Sequence, residues 1–137
     1  MDTAFVDADV IVRLLTGDDP AKQDRATRLF ERVEQGKVRL TTPVTTIADV
    51  VYVLSSPRLY GVERAKVSAM LIALLRLPSL AVPQEESVMR ALSLFGASKI
   101  DFGDALIAAS MLADDADTLY SYDRDFDNLA GIRRLEP

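Results

Sequence analysis

The chain has 137 residues, of which 49% are hydrophobic, and its 16 basic and 21 acidic residues give a net charge of −5. This length and hydrophobic content suit one domain that spans residues 1–137, and they leave little room for a second. Because the sequence contains neither cysteine nor histidine, it excludes disulfides, thiolate nucleophiles, the usual zinc sites and any mechanism with an imidazole base.

Apolar periodicity and helix-boundary signals predict strands that alternate with helices. The clearest start signal is Asp19 as N-cap followed by Pro20 at the first helical position. In chain order the predicted elements are a strand at 4–7, helices at 9–16 and from Pro20 to Gly36, the strand "KVRLTT", helices from Pro43 to about Ser55 and over about 62–76, the strand "SLAV", helices at 85–96 and 102–114, the strand "DTLYSY", the turn "DRDFDN" and a fifth strand in "GIRRLE". The helix residues expected in the core are Ala26, Leu29, Phe30, Val33, Val67, Met70, Leu71, Leu74, Val88, Leu92 and Phe95.

This alternation predicts an α/β fold whose parallel sheet is covered by helices on both faces. Functional sites in such folds form beyond the carboxyl ends of the strands. Asp7 follows the first strand and Asp123 follows the fourth, so we expect both side chains at the same edge of the sheet. Asp49 and Asp104 lie in helices whose neighbouring positions are nearly all apolar. These four carboxylates form the candidate site.

Most of the acidic residues also have a purely structural interpretation. Asp9 suits the N-cap of a helix over residues 10–16, and Asp101, three residues before Asp104, resembles part of a capping box. Asp7 is harder to explain in this way, because a strand in a doubly covered sheet has no solvent-exposed face. Turn or surface positions would account for Asp49, Asp123, Asp125 and Asp127.

Electrostatics defines what a cluster of these acids would need. Two carboxylates ~4 Å apart repel each other by about 4 kcal/mol at an effective dielectric constant of 20. Several of them therefore need a divalent cation, and oxygen ligands favour Mg²⁺ or Mn²⁺. Such an ion can activate a bound water and stabilise charge on a phosphate. The cluster therefore points to phosphoryl chemistry.

Four segments carry a resemblance to a known family. "FVDADVIVRLLTGDDP", "TTIADVVYVL", "IDFGDALIAA" and "SYDRDFDNL" resemble, in order and spacing, the acidic motifs of PIN-domain ribonucleases, and most of all those of the VapC-type toxins of bacterial toxin–antitoxin modules. The resemblance covers essentially the whole chain. It implies a three-layer α/β/α sandwich with a mainly parallel sheet of about five strands.

The resemblance also implies a metal-dependent endoribonuclease, in which a metal-activated water attacks an RNA phosphodiester in line and leaves a 5′-phosphate and a 3′-hydroxyl. Ser121 stands where the family often has threonine, and its hydroxyl would support the site together with Asp125 and Asp9. The acidic residues implied to surround Mg²⁺ or Mn²⁺ are Asp7, Asp49, Asp104 and Asp123.

Two positions depart from the family pattern. The family commonly has asparagine where this chain has Asp9, which is a nearly neutral exchange at an N-cap but adds a negative charge near a metal. The second acid is usually glutamate, whereas Asp49 is one methylene shorter and would reach a metal either directly or through water. This difference bears on metal affinity and leaves the fold expectation unchanged.

The implied partners are an RNA substrate, a cognate VapB-type antitoxin with a basic tail, and a second copy of the chain in a homodimer. No apolar run approaches the ~18 residues of a membrane span, and the N-terminus lacks signal-peptide features, so we expect a cytoplasmic protein without a membrane partner. The basic residues near the predicted site segments, which either hold RNA phosphates or are ordinary surface charges, are Arg13, Arg58, Lys99 and Arg124.

Two other interpretations stay open. "FVDADVIV" also matches the Asp-x-Asp signature of haloacid-dehalogenase-like phosphatases, with Asp7 as nucleophile and Asp9 as acid or base. That family needs a hydroxyl after the second strand, from Thr41 or Thr42, and a lysine such as Lys99, but "GDALIA" lacks its second aspartate. The alternative without activity is a PIN-like binding module that has lost catalysis.

Overall fold

The computed structural model describes residues 2–137 as an α/β chain with five strands and six α-helices. The class and the order of elements agree with the sequence prediction. The strands are β1 (Asp2–Phe5), β2 (Val38–Thr41), β3 (Leu80–Ala81), β4 (Thr118–Tyr120) and β5 (Arg133–Leu135). The helices are α1 (Ala8–Leu15), α2 (Pro20–Glu34), α3 (Val44–Ser55), α4 (Arg64–Leu75), α5 (Glu85–Ala97) and α6 (Phe102–Ala113), and a 3₁₀ helix covers Arg124–Asn128.

All strand pairs are parallel, but the strands form two sheets instead of one. One sheet has the order β1-β2-β3, with Asp2 opposite Val38 and Leu40 opposite Leu80. The other consists of β4 and β5, with Thr118 opposite Arg133. Strands β4 and β5 lie close in sequence and pair with each other, and neither pairs with β1.

The expectation that the sheet is covered on both faces is wrong for β1 and β2. All four residues of β1 are exposed, and the Phe5 side chain is 72% exposed. In β2, Val38 and Leu40 are buried whereas Arg39 is exposed. This alternation with a period of two is typical of a sheet with one covered face and one face in solvent. Asp7 therefore follows a strand that does have a solvent-exposed face, contrary to the prediction.

The core forms where the helices pack on one another. Helix α1 packs against α2 and α3, and α5 packs between α4 and α6. Most of the predicted core residues are buried, but Leu29, Met70 and Leu74 are only half-buried at its margin. Side chains with almost no exposed surface include Ile11, Val33, Ile47, Leu54, Val67, Leu71, Val88 and Leu92.

Two local features confirm or extend the sequence prediction. Asp19 caps α2 as predicted, since its side chain accepts a hydrogen bond from the Lys22 amide at 3.1 Å, and Pro20 opens the helix. Helices α4 and α5 approach closely at Gly96, where a β-carbon added to the glycine would lie 2.6 Å from the Ser68 Cβ. Across residues 2–137, no helix has the length and apolar character needed to cross a membrane.

Candidate active site

The segment between β1 and α1 and the first turn of α3 are held together by a buried hydrogen bond. The Thr46 hydroxyl donates to the Val6 carbonyl oxygen at 3.0 Å, and Thr46 is itself buried. Val6 precedes Asp7, and Thr46 lies three residues before Asp49 on the same face of α3. This bond therefore fixes the relative position of the segments that carry two of the predicted acids.

Asp7, Asp9 and Asp49 line one open cleft of about 450 Å³ between these helices, which we call the acidic cleft. Asp7, Asp9 and Asp49 are all exposed. Arg13 and Tyr52 also line it, so the cleft offers carboxylates, one guanidinium and an aromatic ring to solvent. The structure thus brings the first two predicted acids, and the supporting residue Asp9, to a common surface.

The N-cap of α1 is Asp7, and the prediction that Asp9 takes this role is wrong. Asp7 has extended backbone angles (φ −94°, ψ 165°), and its carboxylate accepts from the Ala8 amide at 2.7 Å. The helix starts earlier than predicted because β1 ends at Phe5 and the chain turns at once. Asp9 lies within the first helical turn, where the helix dipole favours a negative charge.

A second group of acids surrounds the start of α6. Partial burial raises the pKa of the Asp104 carboxyl, and the negative charges of Asp123, Asp101 and Asp125 raise it further. Asp101 does occupy the N-cap position, but its side chain makes no capping hydrogen bond, so the predicted capping box does not form. The structure therefore leaves Asp104 without the structural explanation that the sequence allowed.

The turn after β4 fixes Asp123 through several polar contacts. The Asp123 amide donates to the Ser121 hydroxyl at 3.0 Å, and the Asp123 carboxylate accepts from the Asp125 amide at 2.9 Å. Arg134 on β5 donates to the Ser121 carbonyl at 3.0 Å and pairs with Asp127 at 2.9 Å. The predicted turn is thus a 3₁₀ helix whose N-cap is Asp123, and Arg134 ties it to the β4–β5 sheet.

Arg64, the first residue of α4, holds the segment that leads into α6. Its guanidinium donates to the carbonyl oxygens of Phe95 at 3.1 Å, of Ser98 at 2.9 Å, and of Ile100. It also lies 3.7 Å from the centre of the Phe95 ring, a cation–π geometry. Burial lowers the pKa of Arg64, and the nearby Asp101 opposes that effect. The entry to α6, and with it Asp104, is therefore anchored from a different helix.

The four predicted acids thus occur in two groups, one in the acidic cleft and one around Asp104. Within residues 2–137, no three acidic side chains lie close enough together to hold a metal ion. The donor chemistry fits a hard cation, because every candidate ligand is a carboxylate. The charge repulsion on Asp104 fits it as well, because a bound cation would relieve it. A complete ligand set is not formed among these residues.

Comparison with known proteins identifies the family. A family model described as PIN domain matches residues 4–132, which is nearly the whole chain. The chain belongs to the PIN domain family. This confirms the resemblance drawn from the four acidic motifs, and all four predicted acids of the PIN domain lie inside the matched region.

A solved structure similar to this PIN domain is that of the Mycobacterium tuberculosis toxin VapC20, described as cleaving the sarcin–ricin loop. The two chains are 22% identical, the match covers 98% of this chain and 99% of the other, and the TM-score is 0.40. A search of curated proteins finds no match. The family match favours the PIN interpretation over the phosphatase one. Of the two hydroxyls named for the phosphatase, Thr42 is completely buried and Thr41 is half-buried.

Sequence reasoning missed several residues that position the acids or share their cleft, namely Thr46, Tyr52, Tyr60, Arg64 and Arg134. Thr46 could have been found from its spacing of three residues before Asp49, which places both on one helical face. Tyr52 could have been found in the same way, because it lies three residues after Asp49 and therefore on the same helical face. Arg134 gave no signal, because its role depends on how β5 pairs with β4. Of the four predicted phosphate-binding residues, Arg13 lines the acidic cleft, whereas Arg58, Lys99 and Arg124 do not.

Proposed function

We propose that this PIN domain is a divalent-metal-dependent endoribonuclease that acts as the toxin of a toxin–antitoxin module. The observation that carries the proposal is that carboxylates occupy all four acidic motif positions within the region matched by the family. Residues held for structural reasons alone would not need a carboxylate at each position. The apolar surroundings of Asp49 and Asp104 in sequence support the same interpretation.

The residues proposed to hold Mg²⁺ or Mn²⁺ are Asp7, Asp49, Asp104 and Asp123. When bound, such an ion supplies an activated water and stabilises negative charge on the phosphate. Asp7 and Asp49 would contribute carboxylates from the acidic cleft, Asp104 from the first turn of α6, and Asp123 from the turn after β4. A bound cation would offset the mutual repulsion of these carboxylates.

The other residues of the proposed site support these acids. Ser121 accepts a hydrogen bond from the Asp123 amide and so holds that residue in place. Asp125 donates its amide to Asp123 and adds negative charge near Asp104. Asp9 adds a carboxylate to the acidic cleft. The shorter side chain of Asp49, relative to the glutamate common in the family, is expected to weaken metal binding without preventing it.

The partners in this proposal are RNA, a cognate VapB-type antitoxin and a second copy of the chain. An acidic cleft is a natural acceptor for an arginine or lysine from an antitoxin tail, since a guanidinium pairs well with carboxylates. We place the protein in the cytoplasm, where its RNA substrate is. Induced expression of the chain is expected to arrest bacterial growth, and the Asp7→Asn variant is expected to leave growth unaffected.

Cleavage of total bacterial RNA by the purified chain tests the activity. Reactions contain Mg²⁺, Mn²⁺ or EDTA, and new RNA ends are mapped by sequencing. Asp7→Asn is the sharpest variant, because asparagine caps helices as well as aspartate does and the fold is retained. Asp24→Asn is the matched control, an exposed aspartate on α2 that pairs with Arg28.

Discrete cuts with 5′-phosphates are expected with metal, both in the native chain and in Asp24→Asn, and are expected to be absent with EDTA and in Asp7→Asn. If the folded native chain makes no cuts with either metal, the nuclease proposal is wrong. Binding of beryllium fluoride to the Asp7 carboxylate, as a mimic of an aspartyl-phosphate, would instead favour the phosphatase.

A further inference from the structure

One wall of the acidic cleft is an exposed aromatic ring. Tyr52 lines the cleft together with Asp7 and Asp49, and it is 68% exposed. It lies three residues after Asp49, so both side chains project from the same side of α3. Elsewhere on α3, Val50, Val51 and Leu54 are buried. The tyrosine therefore does not serve the core, and its ring is available at the opening of the cleft.

A polar network orders the neighbouring cation. Asp18 pairs with the Arg13 guanidinium at 3.2 Å, and it accepts hydrogen bonds from the Tyr60 hydroxyl at 2.6 Å and from the Thr16 hydroxyl at 3.1 Å. Arg13 and Tyr60 also line the acidic cleft. Because Asp18 holds both of them, the guanidinium is positioned at the cleft instead of moving freely in solvent.

We propose that Tyr52 is a stacking platform for one unpaired base of the RNA substrate, with Arg13 contacting a phosphate beside that base. This inference rests on the proposed nuclease function and names the form of RNA that the cleft accepts. The three kinds of group in the cleft match the parts of a nucleotide: an aromatic face for the base, a guanidinium for the phosphate, and carboxylates for the cation at the scissile bond.

The geometry selects single-stranded RNA. A base within a duplex has both faces covered by its neighbours and cannot stack on a side chain, whereas a base in a loop or a single strand can be splayed out. Stacking on tyrosine tolerates any base, since each has a π-face. The platform therefore selects for an unpaired nucleotide next to the cut, and the sequence preference must come from other contacts.

The test uses a single-stranded RNA nonamer with 2-aminopurine at its centre and random bases on both sides. All proteins carry Asp123→Asn, which is expected to block cleavage while the asparagine can still accept from the Asp125 amide. Fluorescence anisotropy in Mg²⁺ gives the Kd, and quenching of 2-aminopurine reports stacking. The variants compared in this background are Tyr52→Ala, Tyr52→Phe and the control Tyr120→Ala, which removes a tyrosine that is 66% exposed on β4 and does not line the acidic cleft.

Tyr52→Ala is expected to raise Kd by roughly ten- to a hundredfold, the range for loss of one aromatic stack, and to abolish quenching. Tyr52→Phe and Tyr120→Ala are expected to behave like the parent protein. If the parent binds RNA and 2-aminopurine is still quenched in Tyr52→Ala, the stacking platform is overturned. The proposed nuclease function is unaffected by that result. Absence of RNA binding by the parent overturns the stacking platform, and it overturns the nuclease function as well when the native chain also makes no cuts in total RNA.

Discussion

The close approach of α4 and α5 at Gly96 gives a quantitative prediction. A β-carbon at this position would lie 2.6 Å from the Ser68 Cβ and 2.9 Å from its Oγ, whereas carbon atoms in contact prefer about 3.5–4.0 Å. Ser68 is buried, so its side chain has little room to move, and the helices must separate. Overpacking of this kind costs about 1–3 kcal/mol.

Two opposing contributions decide the net effect of Gly96→Ala. Alanine is favoured over glycine in a helix by at most about 1 kcal/mol, which is smaller than the cost of a contact this short. We therefore expect the free energy of unfolding to fall, by up to roughly 2 kcal/mol. Urea unfolding followed by far-UV circular dichroism measures this difference.

The matching variant Ser68→Gly makes the prediction sharper, because it removes both atoms that a new methyl group would strike. The next atom is the Ala65 Cα at 3.5 Å, an ordinary contact. In the Ser68→Gly background, Gly96→Ala is therefore expected to stabilise the protein by up to about 1 kcal/mol. The substitution changes sign between the two backgrounds. If Gly96→Ala stabilises the native chain, or has the same effect in both, the reasoning from close packing is wrong.

Two further predictions concern the arginine contacts. Arg64→Lys is expected to lower the free energy of unfolding and to speed hydrogen exchange of the amides leading into α6, because one ammonium cannot replace the guanidinium that reaches three carbonyl oxygens; unchanged exchange rates would contradict this role. The hydrogen bond from Arg134 holds the pKa of Asp127 below its usual value, so the stability that Asp127 contributes is present at neutral pH and is lost as the pH falls through that lowered pKa. Asp127→Asn is accordingly expected to lower stability at neutral pH, with a difference that disappears in acid, and a difference independent of pH would refute the assignment.

Much of the fold could be predicted because local signals are strong. Pro20 after Asp19 marked the start of α2, and the alternation of strands with helices gave the α/β class. The division into two sheets could not be predicted, because it depends on which distant strands pair. The exposure of β1 could not be predicted either. Its sequence, "DTAF", contains no alternation that would reveal which face is covered.

The sequence predicted which residues form the candidate site more fully than it predicted how those residues are arranged. Motif spacing singled out Asp7, Asp49, Asp104 and Asp123, and the family match covers all of them. The spacing could not indicate that Asp7 and Asp49 share a cleft while Asp104 has other acids as neighbours. The error at Asp9 has a similar origin. Asp7 and Asp9 are both good caps, and only the point at which β1 ends decides between them.

The contacts of Arg64 do for this chain what a cross-link does in many small proteins. They join residues that are 31 to 36 positions apart and so close a long loop without a covalent bond. A disulfide in that place would open under reducing conditions, whereas a guanidinium keeps its charge at any pH that a cell experiences. The hydrogen bonds that hold the entry to α6 are therefore not broken by a reductant or by a change of pH in the range that a cell experiences.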